Sequence, residues 1–346
     1  MLLVMLFFLA FARGRSDRMQ PSSFGPGPYE VGKFDVGTKK RPLLDGKWHL
    51  SVTFPTTPAS TQVFPILLFV TGLAGQNAVS AYSTVLNHTA SHGVVVVGVD
   101  QKNTATINYT NFAMTLEGVL EFVGNGSLAE QLVENNVSGI ANTSRIVFGG
   151  HSAGNHILVR HLTSFGCGSD SGNMDAAGMV MIDPVDGADP FGIQNRFVIH
   201  PPALVNFIMP ALHIRTGLDP KAAMPGMPAC APKKISNARF YNAWRGPIWQ
   251  MNAVDMGHMD VQNEGGAGSM GRVICAHNPK ATAREQYRMT VAGATAAFVR
   301  GLMLDDLTSA VKMFDGQEPA LVNVTYKSDL RELTPAQIRP ECLRVS

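Results

Sequence analysis

Apolar and polar positions change their spacing several times along this chain, and each change predicts an element. Trp48–Phe54 and Pro65–Val70 are apolar, β-branched runs bounded by Pro and Gly, the pattern of strands. Val94–Val99 is apolar on both faces, as in a central parallel strand covered by helices on each side. Phe112–Val123 carries apolar residues at helical spacing, and Ser127–Glu134 continues in helical style after a Gly-Asn-Gly break. Arg145–Gly149 reads as a short buried strand, with Ala153–Leu162 at helical period directly behind it. Ala177–Ile182, Ala211–Thr216 and Trp249–Asp255 read as further strands, and Tyr287–Leu304 as a long amphipathic helix. No internal repeat is visible. The alternation predicts one α/β domain over residues 42–346, a mostly parallel central sheet flanked by helices.

Two stretches break this rhythm. Residues 13–41 are polar and rich in Gly, Pro and Ser, and read as an N-terminal arm. Gly217–Arg245, dense in Pro, Gly and Met, reads as a long loop over the sheet's edge, and loops of that length commonly cover or bind. Ahead of the arm, Met1–Ala12 is an apolar run too short to span a bilayer. It fits a signal-peptide core with Ala10-x-Ala12 as a cleavage site, although it lacks a basic leading region. Six glycosylation sequons, at Asn87, Asn108, Asn125, Asn136, Asn142 and Asn323, point to the same secretory route. The expectation is a secreted, extracellular protein whose four cysteines form disulfides.

Composition narrows the function classes. Over 346 residues, 28 Lys and Arg stand against 26 Asp and Glu, and a net charge of +2 gives no electrostatic case for a nucleic-acid partner. Cys167, Cys230, Cys275 and Cys342 lie far apart without a C-x-x-C, which argues against a zinc ribbon or a redox dithiol. The sequence carries no signal for a metal, a nucleotide or any other cofactor. The expected partner is a small molecule.

The sharpest local feature is Gly150-His151-Ser152-Ala153-Gly154, set between a predicted strand and a predicted helix. That is the context of a nucleophile elbow, in which a tight turn leaves the serine hydroxyl exposed at a strand end. Serine is a poor nucleophile without a histidine base, itself oriented by a carboxylate, and behind such an elbow the acid and then the histidine follow downstream. Of the later histidines, His156 and His161 fall on the helix after the elbow, directed away from the site or into solvent. His213 falls within a strand. His258 follows a strand directly, in Val254-Asp255-Met256-Gly257-His258-Met259-Asp260, and is the expected base. Asp183, Asp186 and Asp219 all sit at strand ends as candidate acids, and spacing alone favours Asp219. Two backbone amides should face the developing oxyanion: Ala153, after the nucleophile, and Leu73, in the turn Thr71-Gly72-Leu73-Ala74-Gly75.

Several segments together resemble the chlorophyllase family of α/β-hydrolases. They are Phe64–Gly72, Ala90–Val97, Gly150–Gly154, Ile182-Asp183-Pro184-Val185-Asp186-Gly187, Cys230-Ala231-Pro232 and Asp255–Asp260, within roughly Arg41–Asp305. The resemblance implies the α/β-hydrolase fold and a serine carboxylesterase, which in plants removes phytol from chlorophyll. It also implies Asp183 as the acid, in preference to Asp219, and it allows a Cys230–Cys275 bridge. The chain departs from the family at Thr71, where a histidine is usual, and at Ala153, where the plant proteins usually carry arginine. Its leader differs from a plastid transit peptide. The chemistry therefore transfers better than the substrate, and two rivals stand beside it. One is an esterase acting on another lipid ester, such as a phospholipid acetyl group; the other is a catalytically dead hydrolase-like binding protein. Methionines within Met209–Met259 suit either an adaptable apolar pocket or ordinary core packing.

Overall fold

In a computed structural model the described residues are 23–36, 48–56, 62–73, 75, 77–101, 109–137, 139–166, 175–187, 197–304 and 306–345. The leader Met1–Ala12, the sequon at Asn108 and Cys167 lie outside them. The first half runs β1 (Glu30–Asp35), β2 (Trp48–Thr56), β3 (Val63–Val70), α1 (Ser83–Ser91), β4 (Val95–Gln101), α2 (Tyr109–Gly124), α3 (Ser127–Glu134), β5 (Ile140–His151), α4 (Ala153–Ser164) and β6 (Asp175–Ile182). The second half runs β7 (Phe207–Ile208), β8 (Ala211–Thr216), α5 (Ala238–Ala243), β9 (Ile248–Ala253), α6 (Gly266–Ile274), α7 (Ala281–Met303), α8 (Leu307–Phe314), β10 (Val324–Asp329) and β11 (Leu343–Arg344).

Nine strands form one sheet in the order β1-β2-β4-β3-β5-β6-β8-β9-β10. The six from β4 to β9 are mutually parallel, while β1, β2 and β10 pair antiparallel at the two edges. The continuous apolar runs follow from burial on both faces. Ile66, Leu68 and Val70 enter one core with α2, α3 and α4; Leu67 and Phe69 enter the other with α1, α7 and α8. This is the mixed, mostly parallel α/β arrangement that the sequence pattern predicts.

Three elements differ from expectation. The stretch read as a polar arm contains β1, which pairs with β2 from Glu30↔Thr56 to Asp35↔Ser51, and Phe24 is buried just before it. Short edge strands with alternating exposure carry too weak an apolar signal to stand out from a Gly- and Pro-rich stretch. The helix read as amphipathic, α7, is buried at every position from Thr290 to Ala296. It runs between α1 and α8, and a Cβ on its Gly293 would meet the Ser23 carbonyl oxygen at 2.4 Å, so it is closed on its outer side as well. The loop Gly217–Arg245 holds the short helix α5 near its end.

Candidate active site

The carboxyl ends of β3, β5, β6, β8 and β9 converge, and each contributes to one site. β5 ends at His151, and α4 begins at Ala153, so Ser152 sits alone in the turn with φ at +55°. That left-handed conformation is strained for a side-chain-bearing residue. It is held by the Ser152 N–H donating to the Ile182 carbonyl at 3.0 Å and by the Val185 N–H donating to the Ser152 carbonyl at 3.2 Å. Gly154 is required by close approach: a Cβ there would lie 2.4 Å from the Val70 carbonyl oxygen and 2.7 Å from that of Thr71. Absence of that Cβ lets α4 press against the end of β3.

Asp183 follows β6, also at positive φ (+40°), and is fully buried. Its carboxylate accepts from the Thr216 amide at 3.1 Å, the Thr216 hydroxyl at 2.8 Å and the Asn237 amide group at 3.0 Å. His258 follows β9, in a turn where Gly257 leaves no room for a side chain: a Cβ would lie 1.8 Å from the Ala276 carbonyl oxygen. His258 Nδ1 lies 2.8 Å from Asp183 Oδ2, and its Nε2 lies 2.8 Å from Ser152 Oγ. A carboxylate only accepts, so Nδ1 carries the proton toward Asp183. In the neutral ring Nε2 is then free to accept the serine O–H.

Asp219, the rival acid, is also present. Its Oδ1 lies 3.3 Å from His258 Nδ1, and its other oxygen accepts from Asn237 at 3.5 Å. The two buried carboxyls titrate in opposite directions. Burial works to raise Asp183, but hydrogen bonding and charge from His258, with the Thr216 hydroxyl, hold it down at about 2. Asp219 is pushed well above the usual carboxylate range by burial and by the charge of Asp183. For His258, burial favours the neutral ring, yet the acidic pair outweighs it and raises the imidazole above its ordinary value. The third candidate, Asp186, is elsewhere: it accepts from His156 at 3.0 Å, Arg239 at 3.1 Å and the Val198 and Ile199 amides. His156 is therefore buried and hydrogen-bonded away from the serine, the first of the two directions expected from its helix position, and not turned to solvent. His161 is likewise buried, with Glu117 at 3.3 Å. His213 is buried between the Asn237 carbonyl at 3.1 Å and Gln250 at 3.0 Å, as a strand position predicts.

Ala153 N–H is the first amide of α4 and has no intrahelical acceptor. Leu73 follows β3 at φ +51° and lines the same cavity as Ser152 and His258. Below this turn lies a polar group that sequence reasoning did not single out. The Tyr82 hydroxyl lies 2.8 Å from His151 Nδ1 and accepts from the Gly72 amide at 3.0 Å and Gln262 Nε2 at 2.8 Å. His151 Nε2 faces the His258 carbonyl at 3.0 Å, which can only accept, so Nδ1 is unprotonated and receives the Tyr82 O–H. Burial, and then the charge of His258, push His151 down to about 3, so it stays neutral. A Cβ on Gly72 would fall within 2.9 Å of His151, Asn77 and Tyr82 alike, so glycine is needed there. His151 was visible as the variable residue of the elbow motif. Tyr82, 69 positions upstream of it, had no local signal.

The serine opens onto a cavity of about 310 Å³. Val185, Ile235, Met259, Ile274 and the Cys230–Cys275 disulfide give it an apolar wall. Of the methionines between Met209 and Met259, only Met259 lines this cavity; Met209, Met251 and Met256 are core residues. Cys342 is also disulfide-bonded. Asp183, Asp219 and His258 are residue types that could hold a divalent ion, with ligand atoms within 4.8 Å. Here those atoms are engaged with Thr216, Asn237, Ser152 and one another. Among the described residues no helix is long and apolar enough to cross a membrane.

A sequence profile of the family described as Chlorophyllase matches residues 19–329. The chain is 25% identical over 272 residues to chlorophyllase-2 of Arabidopsis thaliana, covering 75% of this chain and 80% of that protein. It is 26% identical over 256 residues to a chloroplastic chlorophyllase-1 of Citrus sinensis, covering 72% of each. It is 24% identical over 294 residues to a type 0 chlorophyllase of Chenopodium album, covering 80% of this chain and 79% of that protein. With the strand order and the serine turn already described, this match places the chain in the chlorophyllase family, ester hydrolases built on the α/β-hydrolase fold.

Proposed function

We propose that this protein is a secreted serine carboxylesterase that cleaves an ester with an apolar chain through an acyl-enzyme. The observation that carries the reading is the run of short contacts Ser152 Oγ–His258 Nε2–His258 Nδ1–Asp183 beside an apolar cavity. Ser152 Oγ attacks the ester carbonyl carbon as His258 Nε2 takes its proton, and Asp183 steadies the imidazolium. The carbonyl oxygen becomes an oxyanion facing the Ala153 and Leu73 amides. Collapse of this intermediate breaks the ester C–O bond, and the alcohol leaves with the proton from His258. Water then attacks the acyl-serine, giving its proton to His258, and the carboxylic acid departs as Ser152 regains its hydrogen. The reading requires no metal or other cofactor.

Secretion is supported by the apolar leader, by the disulfides and by sequon placement. Asn87, Asn125, Asn136 and Asn323 are all exposed on the folded chain. Recovery of the full chain from culture medium, with a mass that falls on enzymatic removal of N-glycans, tests it. Recovery only from the cell interior without glycans contradicts it.

For the chemistry, the test is release of chlorophyllide from chlorophyll a by the purified protein, beside a short-chain aryl ester, with Ser152→Ala as control. Both activities vanishing in the variant supports the reading and extends the substrate to chlorophyll. Cleavage of the aryl ester alone keeps the serine chemistry and directs the search to other lipid esters, such as a phospholipid acetyl group. No cleavage of either ester, with no reaction toward a serine-directed phosphonate, supports a non-catalytic binding protein instead.

A further inference from the structure

Cys275 fastens both ends of one surface excursion. Ala222 pairs with it in an antiparallel bridge, and Cys230 is joined to it by the disulfide, so Ala222–Cys230 is a loop pinned at a single residue of the cavity wall. Its tip is apolar and uncovered: Met224 is 46% exposed and Met227 39% exposed, with Gly226 between them in a left-handed turn open to space. The last turn of α6, just before Cys275, presents Val273 at 64% and Ile274 at 42% exposure. Leu73, from the turn after β3, is also exposed and lines the cavity with Ile274. Single exposed apolar residues are ordinary on a protein surface. Here Leu73 and Ile274 line the apolar cavity, and Val273 and the methionine tip lie on the two segments that meet at Cys275; large apolar residues exposed on adjoining segments at a cavity mouth mark a contact surface.

The loop that carries this tip and the residues on either side of it bear charge of one sign. From Pro220 to Lys234 the chain carries Lys221, Lys233 and Lys234, all exposed, and no acidic residue. Arg272 is turned away, bonded to Glu264 at 2.9 Å, and Arg284 and Arg288 hold the same carboxylate. We propose that this face docks on an anionic lipid surface. Met224, Met227 and Val273 enter the apolar layer there, and the three lysines reach the headgroups. An unbranched methionine tip flanked by lysines suits a disordered acyl layer beneath negative headgroups better than the fixed relief of a protein partner. The proposal rests on the esterase reading only for its use: a mouth resting on lipid receives an apolar ester without passage through water.

The test uses sedimentation with vesicles of phosphatidylcholine, with and without phosphatidylglycerol. It is made on the full chain carrying Ser152→Ala, so that binding is read apart from turnover. The expected result is binding that depends on phosphatidylglycerol. Met224→Ser/Met227→Ser should weaken it at least about tenfold, since two apolar side chains leave the layer. Lys221→Gln/Lys233→Gln/Lys234→Gln should remove most of the dependence on phosphatidylglycerol. In the active chain the methionine pair should lower hydrolysis of a vesicle-borne ester by a similar factor, with a water-soluble aryl ester unaffected, which also shows the variant is folded. Absence of binding to the phosphatidylglycerol vesicles, or binding indifferent to the methionine pair, overturns the proposal. So does a dimer in solution that the methionine pair dissolves, which would make this face a contact between two copies.

Discussion

His258 Nδ1 lies 2.8 Å from Asp183 Oδ2 and 3.3 Å from Asp219 Oδ1, so a single imidazole faces two buried carboxyls. Their surroundings divide the roles. Asp183 is held ionised by Thr216, Asn237 and His258, whereas Asp219 is driven toward its neutral form by burial and by its neighbour's charge. Asp183→Asn should therefore lower kcat/KM by about a thousandfold or more, because the amide no longer fixes the imidazole tautomer. Asp219→Asn should cost less than about tenfold. Steady-state kinetics on a soluble ester ranks the two, and the reverse order would exchange their roles.

The pH profile gives an independent reading. His258 is raised above its ordinary value of 6.5, and it must be neutral to act as a base. The rising limb of kcat/KM should accordingly lie above pH 6.5 in the wild type. Asp219 faces His258 Nδ1 at 3.3 Å and raises the imidazole in so far as it ionises, so in Asp219→Asn the limb should move to lower pH. For stability the sign is that of any raised histidine: the contribution is complete below pH 6.5 and fades as pH climbs through the folded value. A limb that stays in place in Asp219→Asn would show that the second carboxyl does not act on His258.

Tyr82 ties three parts of the site together through one hydroxyl. It meets His151 of the serine turn, Gly72 beside Leu73, and Gln262 on the segment after His258. Tyr82→Phe keeps the ring and strips these three partners and Asn77, which donates to the same hydroxyl at 3.4 Å, leaving buried donors unmet. The expected result is a fall in kcat of about ten- to a hundredfold with KM little changed, since the role proposed for the neighbouring Leu73 amide is toward the oxyanion and not toward the bound ester. An equal rise in KM would instead place Tyr82 in ground-state binding.

The Cys230–Cys275 bridge closes a loop with a sequence separation of 45 residues. Cys230→Ser/Cys275→Ser should lower the free energy of unfolding by about 2–4 kcal/mol, readable by urea denaturation. Because the bridge also forms part of the cavity wall, KM for a long-chain ester should rise more than KM for a short one. Equal changes for the two esters would mean that the bridge serves stability alone.

Glu264 holds Arg272, Arg284 and Arg288; Arg272 reaches the carbonyls of Met259, Gln262 and Asn263 just past His258, Arg288 reaches that of Gln262, and Arg284 that of Asn278. The Arg284 contact above all lowers Glu264 to about 2. A depressed carboxylate stabilises the fold above its unfolded value near 4.5, and the gain is lost as pH falls toward 2. Glu264→Gln should therefore lower the Tm modestly at neutral pH, the carboxylate being 44% exposed and screened. The gap to wild type should close as pH drops from 4.5 to 2. A gap that persists at pH 2 would assign the effect to packing.

Much of this was legible in the sequence, for identifiable reasons. The runs Pro65–Val70 and Val94–Val99 announce central strands because burial on both faces demands unbroken apolar sequence. Ser152 and His258 are marked by tight local turns, and local geometry is what short motifs encode. Spacing alone favoured Asp219, yet both carboxyls follow parallel strands and both reach the same imidazole. The resemblance favoured Asp183, which lies the nearer of the two to Nδ1 and accepts three further hydrogen bonds. Tyr82, the inward pairing of His156 with Asp186 and the edge strand β1 escaped notice because each depends on a partner distant in sequence or on a weak alternating pattern.

The most direct test of the central claim is peptide mapping by mass spectrometry after reaction with a serine-directed fluorophosphonate. The account predicts a single phosphonyl adduct on Ser152, absent in Ser152→Ala and strongly slowed in His258→Ala. An adduct on another serine, or none on a folded chain that hydrolyses an ester, would contradict it.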